Sequence, residues 1–211
     1  MQIEVFELPP IGTNAYLLSD AERGEAILID APMMAWETIA PRLDGDGLKL
    51  TAVLLTHGHF DHVLGAATFN QQGVPVYAHA DDREMLANLP QQMRMFGIPG
   101  EVQAPTVDHW INPEEPLNLL GRSIEVRHTP GHCPGNVTFY FADEGAAFVG
   151  DVIFAGGYGR TDLPGGDAAL LRKTFFEQIF TLPEKTLLYP GHGPQTSVEQ
   201  ERYTNPLTSG N

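Results

Sequence analysis

A single cysteine, Cys133, stands among 211 residues, so no internal disulfide braces the fold, which agrees with a reducing compartment. Cations are scarce too: 12 Lys and Arg face 27 Asp and Glu, a formal net charge of -15. Affinity for nucleic acid comes mostly from cations that neutralise phosphates, so polynucleotide partners are disfavoured. No apolar run approaches the roughly 20 residues that would span a bilayer. The opening Met1-Gln2-Ile3-Glu4-Val5-Phe6 has neither the basic stretch nor the apolar core of an export signal. These absences predict a cytoplasmic protein with no membrane and no nucleic-acid partner. Repeats, low-complexity tracts and linkers are also missing, and Pro113-Glu114-Glu115-Pro116 reads as a polar turn. One domain over 1–211 is therefore expected, with 42% hydrophobic residues for its core. Oligomeric state is not legible in the chain.

What is present is alternation. Short apolar or β-branched runs at Ile3–Phe6, Ala15–Leu18, Ala26–Ile29, Ala52–Leu55, Val74–Tyr77, Ile124–Val126, Val137–Phe141, Ala146–Val149 and Thr186–Tyr189 predict strands, most of them closed by Gly, Pro or Asp. Helical patterns lie over Met34–Leu43, His62–Gln71, Asp81–Leu89 and Asp167–Phe180, the last with Leu170, Leu171, Phe175, Ile179 and Phe180 on one face. The class is α/β. Just beyond the C-terminal ends of three strands come His57, Asp151 and His192, where α/β proteins gather functional loops.

Those three belong to a larger set. Thr56-His57-Gly58-His59-Phe60-Asp61-His62 carries four metal-ligating side chains, and His132, Asp151 and His192 each sit in a turn-like stretch. Imidazole and carboxylate suit zinc and similar divalent ions, and seven such donors suffice for two ions. One residue separates His57 from His59, so an extended segment points both to the same side. Asp151, with two oxygens, is the natural bridge, and a shared carboxylate offsets the repulsion of cations about 3.5–4 Å apart. An isolated histidine is ordinarily structural, and that is the expectation for His79, His109 and His128, with His128 also placed to orient a neighbouring ligand. Seven donors at HxHxDH spacing are not isolated. The same ligands accept zinc, iron or manganese, zinc being expected first.

The motifs THGHFDH, GHCPGN around His132, GDVIF around Asp151 and PGHGP around His192 together resemble the metallo-β-lactamase-fold superfamily, over almost the whole chain. Within it, Gly159-Arg160-Thr161-Asp162, Arg94-Met95-Phe96-Gly97 and the ending Glu201-Arg202-Tyr203-Thr204-Asn205-Pro206 look most like short glyoxalase II-like hydrolases without the C-terminal helical domain. The resemblance implies a four-layer αββα sandwich of two mixed β-sheets. It also implies one ion on His57, His59 and His132, a second on Asp61, His62 and His192, and Asp151 bridging both. The implied reaction is hydrolysis of a small-molecule thioester, such as S-D-lactoylglutathione to D-lactate and glutathione, by a metal-bridging hydroxide. Asp61 is additionally a candidate to orient that nucleophile.

Some positions depart from the family pattern. Arg160 sits where a basic residue would pair with a glutathione carboxylate, but Asp162 replaces the aromatic residue two positions on, and an Arg160–Asp162 ion pair is the competing reading. Cys133 and Asn136 stand where a hydroxyl residue and a histidine are commoner, and Cys133 is expected to be packing. Trp36, Trp110 and Met93–Met95 are expected in the core. Rival functions on this fold are a mononuclear-iron persulfide dioxygenase and a lactone or β-lactam hydrolase.

Overall fold

In the computed structural model, which describes residues 1–208, the chain divides into two compact units: Met1–Ile111 with Leu119–Gly121, and Asn112–Asn118 with the residues from Arg122 onward. The last three positions of the expected 1–211 domain lie outside the described residues. Among the described residues, no helix is long and apolar enough to cross a membrane.

The first unit is built on a six-stranded sheet of β1 (Gln2–Leu8), β2 (Thr13–Asp20), β3 (Glu25–Ile29), β4 (Lys49–Leu54), β5 (Val76–His79) and β6 (His109–Ile111), in that spatial order. The β1–β2 and β2–β3 pairs are antiparallel, and β3 through β6 run parallel. Parallel central strands are buried on both faces, which is why β3 and β4 read as continuous apolar runs. Five helices follow: α1 (Ala35–Asp46), α2 (Phe60–Val63), α3 (Ala66–Gln71), α4 (Arg83–Ala87) and α5 (Leu89–Met95). Helix α1 buries Ala35, Ile39 and Leu43, one per turn. Trp36 meets the buried Phe69 edge-on at 5.5 Å, as a core residue does.

The helix expected over His62–Gln71 is two helices, and Gly65 is the reason. A Cβ at Gly65 would stand 2.4 Å from the Pro32 carbonyl oxygen, so the chain passes there without a side chain. Its N–H donates to Ala31 O at 2.8 Å, and Ala31 N–H donates to His62 O at 2.8 Å. The break thus ties His62 to the segment leaving β3. The expected helix over Asp81–Leu89 is likewise a 3-10 turn at Ala80–Asp82 followed by α4, with α5 unforeseen.

The second sheet has the order β14-β13-β10-β9-β8-β7. Its members are β7 (Leu117–Leu119), β8 (Arg122–His128), β9 (Val137–Phe141), β10 (Ala146–Gly150), β13 (Leu187–Pro190) and β14 (Thr196–Ser197), while β11 (Ile153–Phe154) and β12 (Gly157–Tyr158) form a separate hairpin. Strand β9 is antiparallel to both β8 and β10, and β10 is parallel to β13. Strands β8, β10 and β13 therefore point the same way, and their C-terminal ends lie at one edge. The α/β class with two mixed sheets is the one expected.

Helix α6 (Ala168–Thr174) is capped by Asp167, whose side chain accepts from Leu170 N–H. It does not run regularly to Phe180 as expected but opens into a π turn at Phe175–Ile179. The Gln178 carbonyl, near the end of that turn, accepts from Arg127 Nη1 at 2.5 Å. Helix α7 (Val198–Thr204) was invisible in the sequence because Glu199, Gln200, Glu201, Arg202 and Thr204 break any apolar stripe.

Glu201 explains what α7 does. Fully buried, its carboxylate accepts from Thr196 Oγ1 at 2.6 Å, from Asn205 Nδ2 at 2.8 Å and from Gly156 N–H at 3.0 Å. Asn205 Nδ2 also donates to Gly157 O at 2.8 Å, so α7 grips the β11–β12 hairpin by two side chains. Glu201→Ala would leave three donors without their acceptor, each worth about 1–3 kcal/mol when buried unsatisfied. The expected result is a loss of at least about 3 kcal/mol in urea unfolding of the metal-free protein. A loss below 1 kcal/mol would mean water replaces the carboxylate.

Candidate metal centre

In the first unit, four of the predicted ligands come together on the segment that leaves β4 and enters α2. His57, His59, Asp61 and His62 are all buried. The His57 ring meets that of His59 at 4.9 Å and that of His62 at 4.0 Å. Buried imidazoles in contact cannot all be protonated without strong repulsion, so their tautomers matter.

Asp30, which sequence reading missed, sets those tautomers. It follows β3 in a left-handed conformation with φ 58° and is almost wholly buried. Its Oδ1 accepts from Thr56 N–H at 2.7 Å, and its Oδ2 accepts from Thr56 Oγ1 at 2.8 Å and from His62 Nδ1 at 2.7 Å. The Thr56 hydroxyl thus points its hydrogen at Asp30, and at 3.1 Å from His57 Nδ1 its oxygen acts as acceptor. Both rings carry their proton on Nδ1, which leaves the Nε2 lone pairs for a ligand role. The only sequence signal was an Asp closing a strand, which also describes any turn.

Asp61 shows the consequence. Its Oδ2 accepts from Thr13 Oγ1 at 2.7 Å and lies 3.3 Å from His62 Nε2. Two lone-pair donors facing one another at that distance repel unless a cation lies between their directions. This is the spacing of two ligands on one divalent ion, so these residues fit such an ion. Thr13, at the start of β2, is a second orienting residue that sequence reading missed.

The second unit gathers the other three. Asp151 follows β10 and His192 follows β13, and because those strands are parallel neighbours the two side chains meet, with His192 Nε2 3.5 Å from Asp151 Oδ2. His132 Nε2 lies 3.6 Å from the same oxygen. The His132 Nδ1 donates to the Arg160 carbonyl at 2.7 Å, which again commits the ring proton to Nδ1 and frees Nε2. One carboxylate oxygen between two such nitrogens is the pattern of a metal-binding carboxylate. Gly159 makes the carbonyl contact feasible, since a Cβ there would stand 1.9 Å from Asp151 O and 2.8 Å from His132 Nδ1.

The His132 loop is braced from below. Gly131 lies against Leu171, where a Cβ would come within 2.4 Å of backbone, and Thr174 Oγ1 donates to Pro130 O at 2.7 Å. Asn136 donates to Thr129 Oγ1 at 2.9 Å and to Val149 O at 3.3 Å, which pins the loop to the end of β10. Cys133 is fully buried, consistent with packing. His128 Nε2 donates to Pro134 O at 2.7 Å, so it supports the His132 loop rather than a ligand directly. The other two histidines have structural roles: His79 caps the 3-10 turn through Asp81 N–H, and His109 stacks on Tyr77.

Arg160 is held in a bidentate pair, Nε to Asp162 Oδ1 and Nη2 to Asp162 Oδ2, each at 2.7 Å. That hydrogen bonding holds the Asp162 carboxyl down at about 2, so the pair is ionised throughout the neutral range. Two expected core residues are exposed instead: Trp110 is 37% exposed beneath the Arg83 guanidinium, and Met95 is 56% exposed. Trp110 lies on β6, at the edge of its sheet, where burial ends.

Comparison with known proteins shows the family. The model of the metallo-beta-lactamase superfamily matches residues 8–192. The chain is 36% identical to the hydroxyacylglutathione hydrolase GloC of Haemophilus influenzae, covering 98% of each protein. It is 40% identical to the probable metallo-hydrolase YqgX of Bacillus subtilis, over 95% of this chain and 94% of that one. Mouse mitochondrial persulfide dioxygenase ETHE1 is 33% identical over 96% of this chain and 74% of its own length. Among solved structures, the B3 metallo-beta-lactamase BLEG-1 superposes with a TM-score of 0.90 at 37% identity, covering 99% of this chain and all of that one. TTHA1623 in a di-iron-bound form gives 0.84 at 35%, covering 96% and 98%.

Proposed function

The chain belongs to the metallo-beta-lactamase superfamily, and on that premise we propose that it is a dinuclear-metal thioesterase whose substrate is a small acyl-thioester of the S-D-lactoylglutathione kind. The observation that carries the metal reading is the commitment of Nδ1 in His57, His62 and His132 to acceptors, which turns three Nε2 lone pairs into ligands. The thioester reading draws on the likeness to GloC over nearly the full length of both chains.

In this reading His57, His59 and His132 would hold one ion, Asp61, His62 and His192 the other, and Asp151 would serve both. When bound, the ions supply Lewis acidity to the thioester carbonyl and acidify a water to near neutrality. Zinc is the expected metal, with iron or manganese accepted by the same donors. The protein's own work is orientation. Asp30 and Thr56 fix the His57 and His62 rings, the Arg160 carbonyl fixes His132, and Thr13 fixes the Asp61 carboxylate that orients the attacking water. Arg160 spends Nε and Nη2 on Asp162, so Nη1 is left for a substrate carboxylate. No protein nucleophile is required. The partner in this reading is a small molecule, met in the cytoplasm, and the acidic balance of the chain disfavours nucleic acid.

Elemental analysis of freshly purified protein, with S-D-lactoylglutathione hydrolysis followed on the same sample, tests the proposal. Two divalent ions per chain with turnover are expected. One iron per chain, no thioester turnover and oxygen uptake with glutathione persulfide would transfer the assignment to a dioxygenase like ETHE1.

A further inference from the structure

In the ligand-bearing stretch from Thr56 to His62, which leaves β4 and enters α2, His62 N–H donates to His59 O at 3.0 Å. Other peptide groups of this stretch find partners elsewhere, on residues that neither the motifs nor the comparisons single out. Asp82, on the 3-10 turn and almost wholly buried, accepts from Gly58 N–H at 2.8 Å. Gln92, on α5, takes the two flanking groups: its Oε1 accepts from Phe60 N–H at 2.9 Å and its Nε2 donates to Gly58 O at 3.0 Å. The same Nε2 donates to Met85 O at 2.9 Å, which anchors the amide to α4. Gly58 is pressed against this wall, since a Cβ there would stand 3.1 Å from Asp82 Cβ. The Phe96 ring covers Phe60 at 4.7 Å.

We propose that Asp82 and Gln92 are positioning residues of the metal centre, clamping the peptide groups between His57, His59 and Asp61 so that these ligands are pre-aimed at their respective ions. The inference rests on the metal reading above. The side-chain chemistry fits the task. The Gly58 N–H needs a pure acceptor, which a carboxylate is. The other position needs one acceptor and two donors on a single group, which an amide provides and neither Glu nor Met does. Gly58 N, Gly58 O and Phe60 N all belong to the two residues that lie between ligands. Peptide groups fixed there set the directions of His57, His59 and Asp61, and a ligand set loosened by fractions of an ångström loses affinity.

The test is cobalt(II) titration of the metal-free protein, read by its visible absorption bands, on wild type, Gln92→Met, Asp82→Ala and Asp82→Asn, with circular dichroism of each. Gln92→Met keeps the length of the side chain and removes all three hydrogen bonds. It is expected to stay folded, bind cobalt about 10-fold or more weakly and change band shape. Asp82→Ala should do likewise, while Asp82→Asn, which keeps an acceptor for Gly58 N–H, should rescue affinity to near wild type. Folded Gln92→Met and Asp82→Ala proteins with wild-type affinity and bands would overturn the proposal and leave the clamp a matter of folding alone. Should Gln92→Met not fold, Gly58→Ala decides, because its methyl pushes the segment off the same wall: altered bands support the clamp and unaltered bands overturn it. A wild-type protein that takes up no cobalt overturns the metal reading and this inference with it.

Discussion

His59→Ala is expected to yield a folded protein with one metal ion per chain instead of two and thioester turnover reduced by at least about 1,000-fold. The rate follows from what a bound divalent ion supplies, several kcal/mol of charge stabilisation at about 1.36 kcal/mol per decade. The fold survives because His59 precedes α2 without a side-chain cap hydrogen bond, so its ring closes no helix end. The remaining donors for the second ion, Asp61, His62, Asp151 and His192, are untouched. Elemental analysis, circular dichroism and hydrolysis on one preparation check the three parts separately. Full turnover with a single ion per chain would sink the dinuclear mechanism.

Asp30→Asn is expected to weaken the metal centre without touching a ligand. Asparagine tolerates the left-handed backbone that Asp30 adopts at φ 58°, so the chain is not strained by the change. The amide, however, replaces one acceptor oxygen with a donor, and Asp30 faces three donors: Thr56 N–H, Thr56 Oγ1–H and His62 Nδ1–H. With its NH2 toward His62, the His62 proton is driven to Nε2 and the ligand lone pair is lost. In the other orientation the NH2 opposes Thr56 N–H. Either way the tautomers of His57 and His62 are no longer set by one carboxylate. Metal affinity should fall by about 10–100-fold, with turnover falling at least as far at limiting metal. The measurement is metal content after dialysis against a weak chelator, alongside kcat at saturating metal. Wild-type retention of metal by a folded Asp30→Asn protein would show that the histidine tautomers are set elsewhere.

The seven candidate ligands stood out in the chain because metal chemistry resides in side-chain type and local spacing. His57, His59, Asp61 and His62 lie within six residues, and His132, Asp151 and His192 each follow a recognisable strand. The strand ends and the α/β class followed from apolar runs and their terminators, whereas the two mixed sheets were implied by the resemblance of the motifs to a known family. Helix limits were less faithful, because Gly65 and the turns around Asp82 answer to close packing that periodicity does not record.

The groups that make the ligands usable were illegible. Thr13 reaches Asp61 across 48 residues, Asp30 reaches His62 across 32, and Gln92 reaches Phe60 across 32. In sequence these are a threonine just ahead of a predicted strand, an aspartate closing one, and a glutamine beyond a predicted helix. Each residue type has an ordinary explanation in its place. Glu201 lies in a stretch without an apolar stripe, yet it is fully buried against Gly156, Thr196 and Asn205. The sequence alone determined which atoms can bind metal, since that is a property of the side chain. Which nitrogen of each ring carries the proton, and what holds each ligand still, only the tertiary structure decided, because a hydrogen bond depends on distances between segments that the sequence keeps apart.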